Sequence, residues 1–342
     1  MGWSLSRSWN LFKLRAARQW LLGRAIRRGR RQLKPAALRI DQAAPDAVLC
    51  FVTQRNEMPR LPHFLNYYRS LGAGHFLFVD NGSTDGSVEY LRGQPDVTLF
   101  TTTASYKSSR FGMDWINYLL FRYGSGRWCL TVDPDELFVY PHCDTRPLAA
   151  LTDWLDASGI RSFSAMLLDM YPRGNIHEQS YHPGDDPLKI VSWFDPANYT
   201  IHKNGRMGNL WIQGGPRARQ FFPHSPAKAP ALNKVPLVKW ARRYVYTSST
   251  HQLLPRSLNL VYDEAGGEKA SGILLHTKFL STFVEKSAEE MLRGQHYANS
   301  QEYRAYSAML ESGLCLWNEH SCQYEGWRQL EDLGLISSGN WA

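Results

Sequence analysis

Three acids fall within four positions of one segment. In residues 127–140, RWCLTVDPDELFVY, an apolar run reaches Thr131 and Val132. Asp133, Asp135 and Glu136 follow around Pro134, and apolar residues resume at Leu137. Two carboxylates at i and i+2, on a proline-stiffened turn at a strand's end, can point toward one ion. Hard oxygen donors select Mg2+ or Mn2+ over softer metals, and so few protein ligands leave positions for phosphate oxygens. The chemistry expected is a metal-bound diphosphate, with the ion acting as Lewis acid on a departing phosphate. The competing use is local: Asp133 opens an Asx-type turn while Asp135 and Glu136 are merely solvated.

The elements that must position these acids decide between the two. From residue 47 the chain alternates regularly. AVLCFVT (47–53), HFLFV (75–79), VTLFT (97–101) and RWCLTV (127–132) have the length and composition of strands. Between them, LPHFLNYYRSLG (61–72), VEYLRG (88–93) and FGMDWINYLLFRYG (111–124) read as helices. This repetition predicts an α/β fold, a mostly parallel Rossmann-type sheet flanked by helices. Ligands of such sheets bind beyond the carboxyl ends of the strands. Three polar segments, TQRNE (53–57), DNGSTDGS (80–87) and DPDE (133–136), therefore share one edge, which favours a binding cleft over a solvated turn. Past about residue 160 the pattern weakens. RSFSAMLL (161–168) and GILLHTKF (272–279) read as strands, a Pro- and Gly-rich basic aromatic region separates them, and 287–313 reads as helix.

The net charge of +8 suggests nucleic acid until it is located. Of the 39 Lys and Arg, eleven lie in residues 1–40, which hold no acid; the other 302 residues carry 28 against 31 acids. The body is slightly acidic, which counts against a nucleic-acid partner for it. In the basic arm, Leu5, Trp9, Phe12, Ala16 and Trp20 recur at steps of three and four, with Leu14 and Leu21 off that stripe. A basic amphipathic helix of this kind suits peripheral contact with an anionic membrane. No apolar run is long enough to span a bilayer. Five cysteines without a CxxC pair suit reduced thiols in a cytoplasmic protein and no zinc site.

FVTQRNEMPRLPHFLNYYRSLGAGHFLFVDNGSTDGS, followed some fifty residues later by LTVDPDELFVY, resembles a family 2-type glycosyltransferase with the GT-A fold. The resemblance is to the bacterial branch that pairs an RNE loop with DNGSTDG and DxDE. It covers about 47–140 strongly; GGPRARQF, KVPLVKW and GILLHTKF resemble that branch's later blocks less specifically. It implies transfer of a sugar from a UDP- or GDP-sugar to a saccharide or lipid-linked acceptor, with Mn2+ or Mg2+, at the inner face of the plasma membrane. Thr53, Arg55, Asn56 and Glu57 would line the nucleotide pocket, and Asp80 would bond the base or ribose, unless it caps its own turn. Asp133 would hold donor and metal, with Asp135 the more direct ligand. His276 would complete the metal shell, and Lys278 would meet the diphosphate. Arg217 would bind phosphate, as Arg219 would, or both would sit on a solvated loop. The usual Glu-Asp pair that carries the base is not readable; Asp195, His251 and Asp169 remain alternatives.

The organisation expected is a basic arm at 1–40, a nucleotide-sugar-binding core at 45–185, an acceptor-side and core-completing region at 186–285, and a C-terminal helical region at 286–342. Two other functions compete. A sugar-phosphate nucleotidyltransferase would bring a Gly-rich loop near its first strand, and TQRNEMPRLP contains no glycine. A catalytically inactive glycan-binding or scaffold protein would keep the sheet but has no need of an intact DPDE.

Overall fold

The computed structural model describes residues 2–261, 269–282 and 313–341. A long helix α1 (Gly2–Gln32) leads to a short strand β1 (Lys34–Ala37). Strand and helix then alternate: β2 (Val48–Gln54), α2 (Leu61–Ser70), β3 (Ala73–Asp80), α3 (Ser87–Arg92), β4 (Val97–Thr101), α4 (Met113–Leu119) and β5 (Trp128–Thr131). Strands covered on both faces read as continuous apolar runs, and Cys50, Phe51 and Val52, like Phe76, Leu77, Phe78 and Val79, are fully buried. Pro62 is accommodated in the first turn of α2, where its missing N–H has no helical partner to lose. Gly72, with φ 92°, takes the chain out of that helix toward β3.

Further on come β6 (Glu136–Val139), α5 (Leu148–Ala157), β7 (Ser162–Asp169), β8 (Trp193–Phe194), β9 (Tyr199–Lys203) and β10 (Leu210–Gly214). They are followed by α6 (Gly215–Phe221), β11 (Asn233–Lys239), β12 (Val245–Ser248), β13 (Gln252–Leu254), β14 (Gly272–His276) and β15 (Cys322–Gln323). One sheet contains nine strands in the order β1-β4-β3-β2-β5-β11-β7-β14-β6. β4, β3, β2, β5, β7 and β14 run one way; β1, β11 and β6 run against them. The architecture is α/β, with a large, mostly parallel central sheet flanked by helices. Phe64, Phe76 and Phe78 belong to one apolar cluster, and Phe51, Leu77, Trp115 and Trp240 to a second.

β11 is a central strand that carries Pro236, which ordinarily argues against a strand interior. Its pairing with β7 shifts register between Lys234 and Leu237, so the proline sits where the ladder is already interrupted. β11 and β14, from the 186–285 region, thus complete the same sheet as β2–β5. Most of the helix expected over 287–313 falls outside the described residues.

α1 docks on the body through residues off the expected stripe and leaves that stripe outward. Leu14 and Leu21, off the expected stripe, are buried and pack with Met207, Val245 and Leu254. Trp9, Phe12 and Trp20, on that stripe, are about 60% exposed at 57%, 60% and 61%. Gly29 permits close approach to α4: a Cβ there would lie 2.1 Å from Cγ of Tyr118. Arg24 Nε is 2.9 Å and Arg28 Nε 3.5 Å from Oδ2 of the buried Asp114, and Trp115 Nε1 donates to Gln32 Oε1 at 2.8 Å. No helix among the described residues is long and apolar enough to cross a membrane. All five cysteines are free, with Cys50 and Cys129 buried and Cys315 exposed.

Candidate functional site

The turn from β5 to β6 delivers the three acids to different environments. The side chain of Asp133 is 51% exposed and that of Asp135 22%, whereas Glu136 is 2% exposed. Glu136 therefore works inside the fold. Its Oε2 accepts from the Asp133 N–H at 3.2 Å, and its Oε1 accepts from Lys234 Nζ, which also lies 3.5 Å from Asp133 Oδ2. Burial pushes the Glu136 carboxyl up to about 7, with Lys234 opposing the push and Asp133 and Asp135 adding to it. Burial would lower the Lys234 pKa, but Glu136 and Asp133 hold it above its ordinary value. The turn is pinned from β14, since the Thr277 N–H and hydroxyl both donate to the Asp135 carbonyl, at 2.8 and 3.1 Å.

Strand pairing places His276 between two acids. On β14 it is in register with Glu136 of β6 on one side and Asp169 of β7 on the other. His276 Nε2 lies 3.3 Å from Asp135 Oδ2, and Nδ1 lies 2.6 Å from Asp169 Oδ1. Burial lowers the imidazole pKa, but Asp135 and Asp169 more than compensate and hold it above its ordinary value. A carboxylate on Nδ1 is the arrangement that orients a histidine so that Nε2 is its outward donor. Among the described residues no group of three or more His, Cys, Asp or Glu side chains is gathered as a metal cage. Asp135 and His276 form a pair whose donor atoms face each other at 3.3 Å.

Asp169 is held from its other side by Arg217 Nε at 2.7 Å. Burial would raise the Asp169 carboxyl, but Arg217 and His276 bring it down to about 2. It is a fixed anion that orients His276, which removes it from the candidate bases. Arg217 is buried and directed at this acid, and Arg219 clamps Asp195 with Nε–Oδ2 at 2.8 Å and Nη2–Oδ1 at 3.0 Å. Neither arginine sits on a solvated loop; both belong to α6. Asp195 also accepts from the Tyr171 hydroxyl at 2.5 Å, so both its oxygens are engaged in structure. Asp195 and Arg217 are thus each held in an ion pair by a neighbouring side chain.

The RNE and DNGSTDGS segments are stitched to one another. Arg55 Nη1 donates to the carbonyls of Asn81 at 2.9 Å and Gly82 at 2.8 Å. The N–H of Asn56, at φ 49°, donates to Ser83 Oγ at 2.9 Å, and its Oδ1 accepts from the Thr84 N–H at 2.9 Å. Glu57 pairs with the buried Arg60 at 3.0 Å, and Arg60 Nη2 reaches the Thr277 carbonyl at 3.3 Å. Burial would lower the Arg60 pKa, but Glu57 and Asp135 raise it. Asp80 is 1% exposed; it accepts from the Gly82 and Ser83 N–H groups, both at 3.0 Å, and from Ser83 Oγ and Gln54 Nε2. Its carboxylate caps its own turn, the second of the two uses the sequence allows.

A cavity opens beside the acid turn; Thr53 lines it, whereas Arg55, Asn56, Glu57 and Asp80 are not among its lining residues. It is lined by Thr53, Tyr106, Phe111, Met113, Ile116, Thr131, Val132, Asp133, Glu136, Ser249 and Thr250. The buried hydroxyls of Thr53 and Thr250, two of the lining residues, have no hydrogen-bond partner among the described residues. His251 follows Thr250. Its Nδ1 is 2.6 Å from the Asn233 carbonyl, and its ring centroid is 6.1 Å from that of Trp211. Burial, with Lys234 and Arg217 nearby, brings the imidazole down to about 4. The ring is neutral at neutral pH: Nδ1–H donates to Asn233 and Nε2 is its acceptor. Lys278 lies half-buried two residues beyond His276.

Sequence reasoning missed Lys234 and Arg60, the cations built around the acid turn, and Thr250. The acid that Lys234 meets lies 98 positions away, and only the polar residue at the second position of NKVPLVKW signals Lys234. No protein-family model matches this chain, and no curated protein matches it in sequence.

Proposed function

We propose that this protein is a metal-dependent glycosyltransferase of the GT-A type, moving a sugar from a UDP- or GDP-sugar to a saccharide or lipid-linked acceptor. The observation that carries the reading is the convergence of Thr53, Asp133, Glu136 and Thr250 on one cavity at the carboxyl edge of the sheet, with the Asp135–His276 pair on the adjoining turn. In this reading Tyr106 and Phe111 face the nucleotide base, and the Thr53 and Thr250 hydroxyls bond the nucleotide. Arg55 and Asn56 brace the 80–87 loop, and Asp80 caps that loop's turn. Asp135 and His276 Nε2 would hold Mn2+ or Mg2+, with Asp133 at the exposed rim. Such an ion would supply charge neutralisation for a diphosphate leaving group. Lys278 adds a cation toward the same group.

His251 is the base in this reading. Asp169 and Asp195 are spent on arginines, whereas the neutral His251 ring keeps an acceptor nitrogen. Such a base contributes about 10²–10⁴-fold. The test is thermal unfolding with UDP and GDP, with and without Mn2+. Saturating ligand at about a hundred times Kd stabilises by roughly 2.7 kcal/mol. Asp135→Ala should lose the metal-dependent part of that shift. If no nucleoside diphosphate shifts the wild-type protein under either condition, the reading is wrong.

A further inference from the structure

α1 carries two apolar stripes and uses one of them. Leu14, Leu21 and Ala25 are buried against the body. On the opposite side Trp9, Phe12, Ala16 and Trp20 recur at steps of three and four, all exposed, with Trp9 and Phe12 stacked at 5.7 Å. Continued along the helix, the same side presents Arg27, Arg30 and Arg31, also exposed. Lys13 and Arg15 flank the aromatics. No acid lies anywhere in residues 1–40, against eleven Lys and Arg.

We propose that this outer face of α1 docks on an anionic lipid surface. Trp9, Phe12 and Trp20 enter the boundary between headgroups and acyl chains, and the arginines meet lipid phosphates. The charge argues for lipid over a second protein: single-sign charge beside exposed tryptophans matches a negative sheet of phosphates, while a protein interface would need acids to balance it on one side or the other. The placement of α1 gives the docking a consequence. Arg24 and Arg28 pair with Asp114, and Trp115 bonds Gln32, so the helix is fixed to α4, whose Met113 and Ile116 wall the cavity. A docked α1 therefore sets how the cavity faces the membrane. This inference is independent of what the cavity binds.

The test is co-sedimentation of the full chain with vesicles of phosphatidylcholine alone and of phosphatidylcholine with phosphatidylglycerol. The wild-type protein should sediment with the anionic vesicles and remain in solution with the neutral ones. Trp9→Ala/Phe12→Ala/Trp20→Ala should weaken sedimentation by about tenfold or more, since each aromatic loses its buried apolar area. Arg27→Glu/Arg30→Glu should weaken it as well, and Ile201→Ala, an exposed apolar residue elsewhere, should not. Three results would overturn the proposal: wild type that stays in solution with anionic vesicles, a triple variant that sediments like wild type, or a dimer in light scattering that the triple variant dissolves.

Discussion

Lys234→Met strips the acid turn of its internal cation. The side chains of Lys234 and Glu136 are 5% and 2% exposed, and Lys234 also stands 3.5 Å from Asp133. Leaving one member of such a pair buried without the other costs about 3–5 kcal/mol, whereas replacing both by neutral groups of similar shape is close to neutral. The single variant should therefore lose roughly 3 kcal/mol or more in urea unfolding at pH 8. Lys234→Met/Glu136→Gln should recover most of that loss, because the glutamine still accepts from the Asp133 N–H. The coupling between the two positions is the quantity of interest, and a double-mutant cycle measures it directly. A single variant within about 0.5 kcal/mol of wild type, or a double variant no better than the single, would refute the idea that Lys234 compensates the turn.

Three other outcomes follow from the same geometry. His251 is brought down to about 4 against an ordinary value near 6.5, so the unfolded chain binds its proton first. Its contribution is complete above about pH 6.5 and is lost as pH falls toward 4, on the order of 3 kcal/mol; His251→Asn should flatten that part of the urea-midpoint profile. Gly29→Ala should drive a methyl into Tyr118 and cost about 1–3 kcal/mol, with limited proteolysis in α1 rising accordingly. Arg219→Ala should destabilise by about 3 kcal/mol through the abandoned Asp195 while leaving nucleotide affinity in the refolded fraction unchanged.

The first half of the sheet is legible in the sequence because β2, β3, β4 and β5 are apolar runs separated by helices of plain period. β11 is not, since Pro236 speaks against a central strand and only the register shift at Lys234 makes room for it. α1 shows why one helical stripe is insufficient: two stripes are present, and docking on Met207, Val245 and Leu254 chooses the less aromatic one. Within the site, the acids were readable from their spacing at a strand end. Their compensation was not, because Lys234 joins Glu136 across 98 positions and Arg60 reaches Thr277 across 217. Long-range pairing also decided the arginines of GGPRARQ. Asp169 and Asp195 claim them, which no local pattern announces.

The central claim is that the Asp135–His276 pair receives a divalent ion together with a nucleoside diphosphate. Crystals grown with Mn2+ and UDP or GDP, measured at the manganese absorption edge, test it most directly. An anomalous peak is expected within coordination distance of the Asp135 carboxylate and His276 Nε2, with the nucleoside in the cavity beside Thr53 and Thr250. A nucleotide bound elsewhere, or a peak that avoids both side chains, would contradict it.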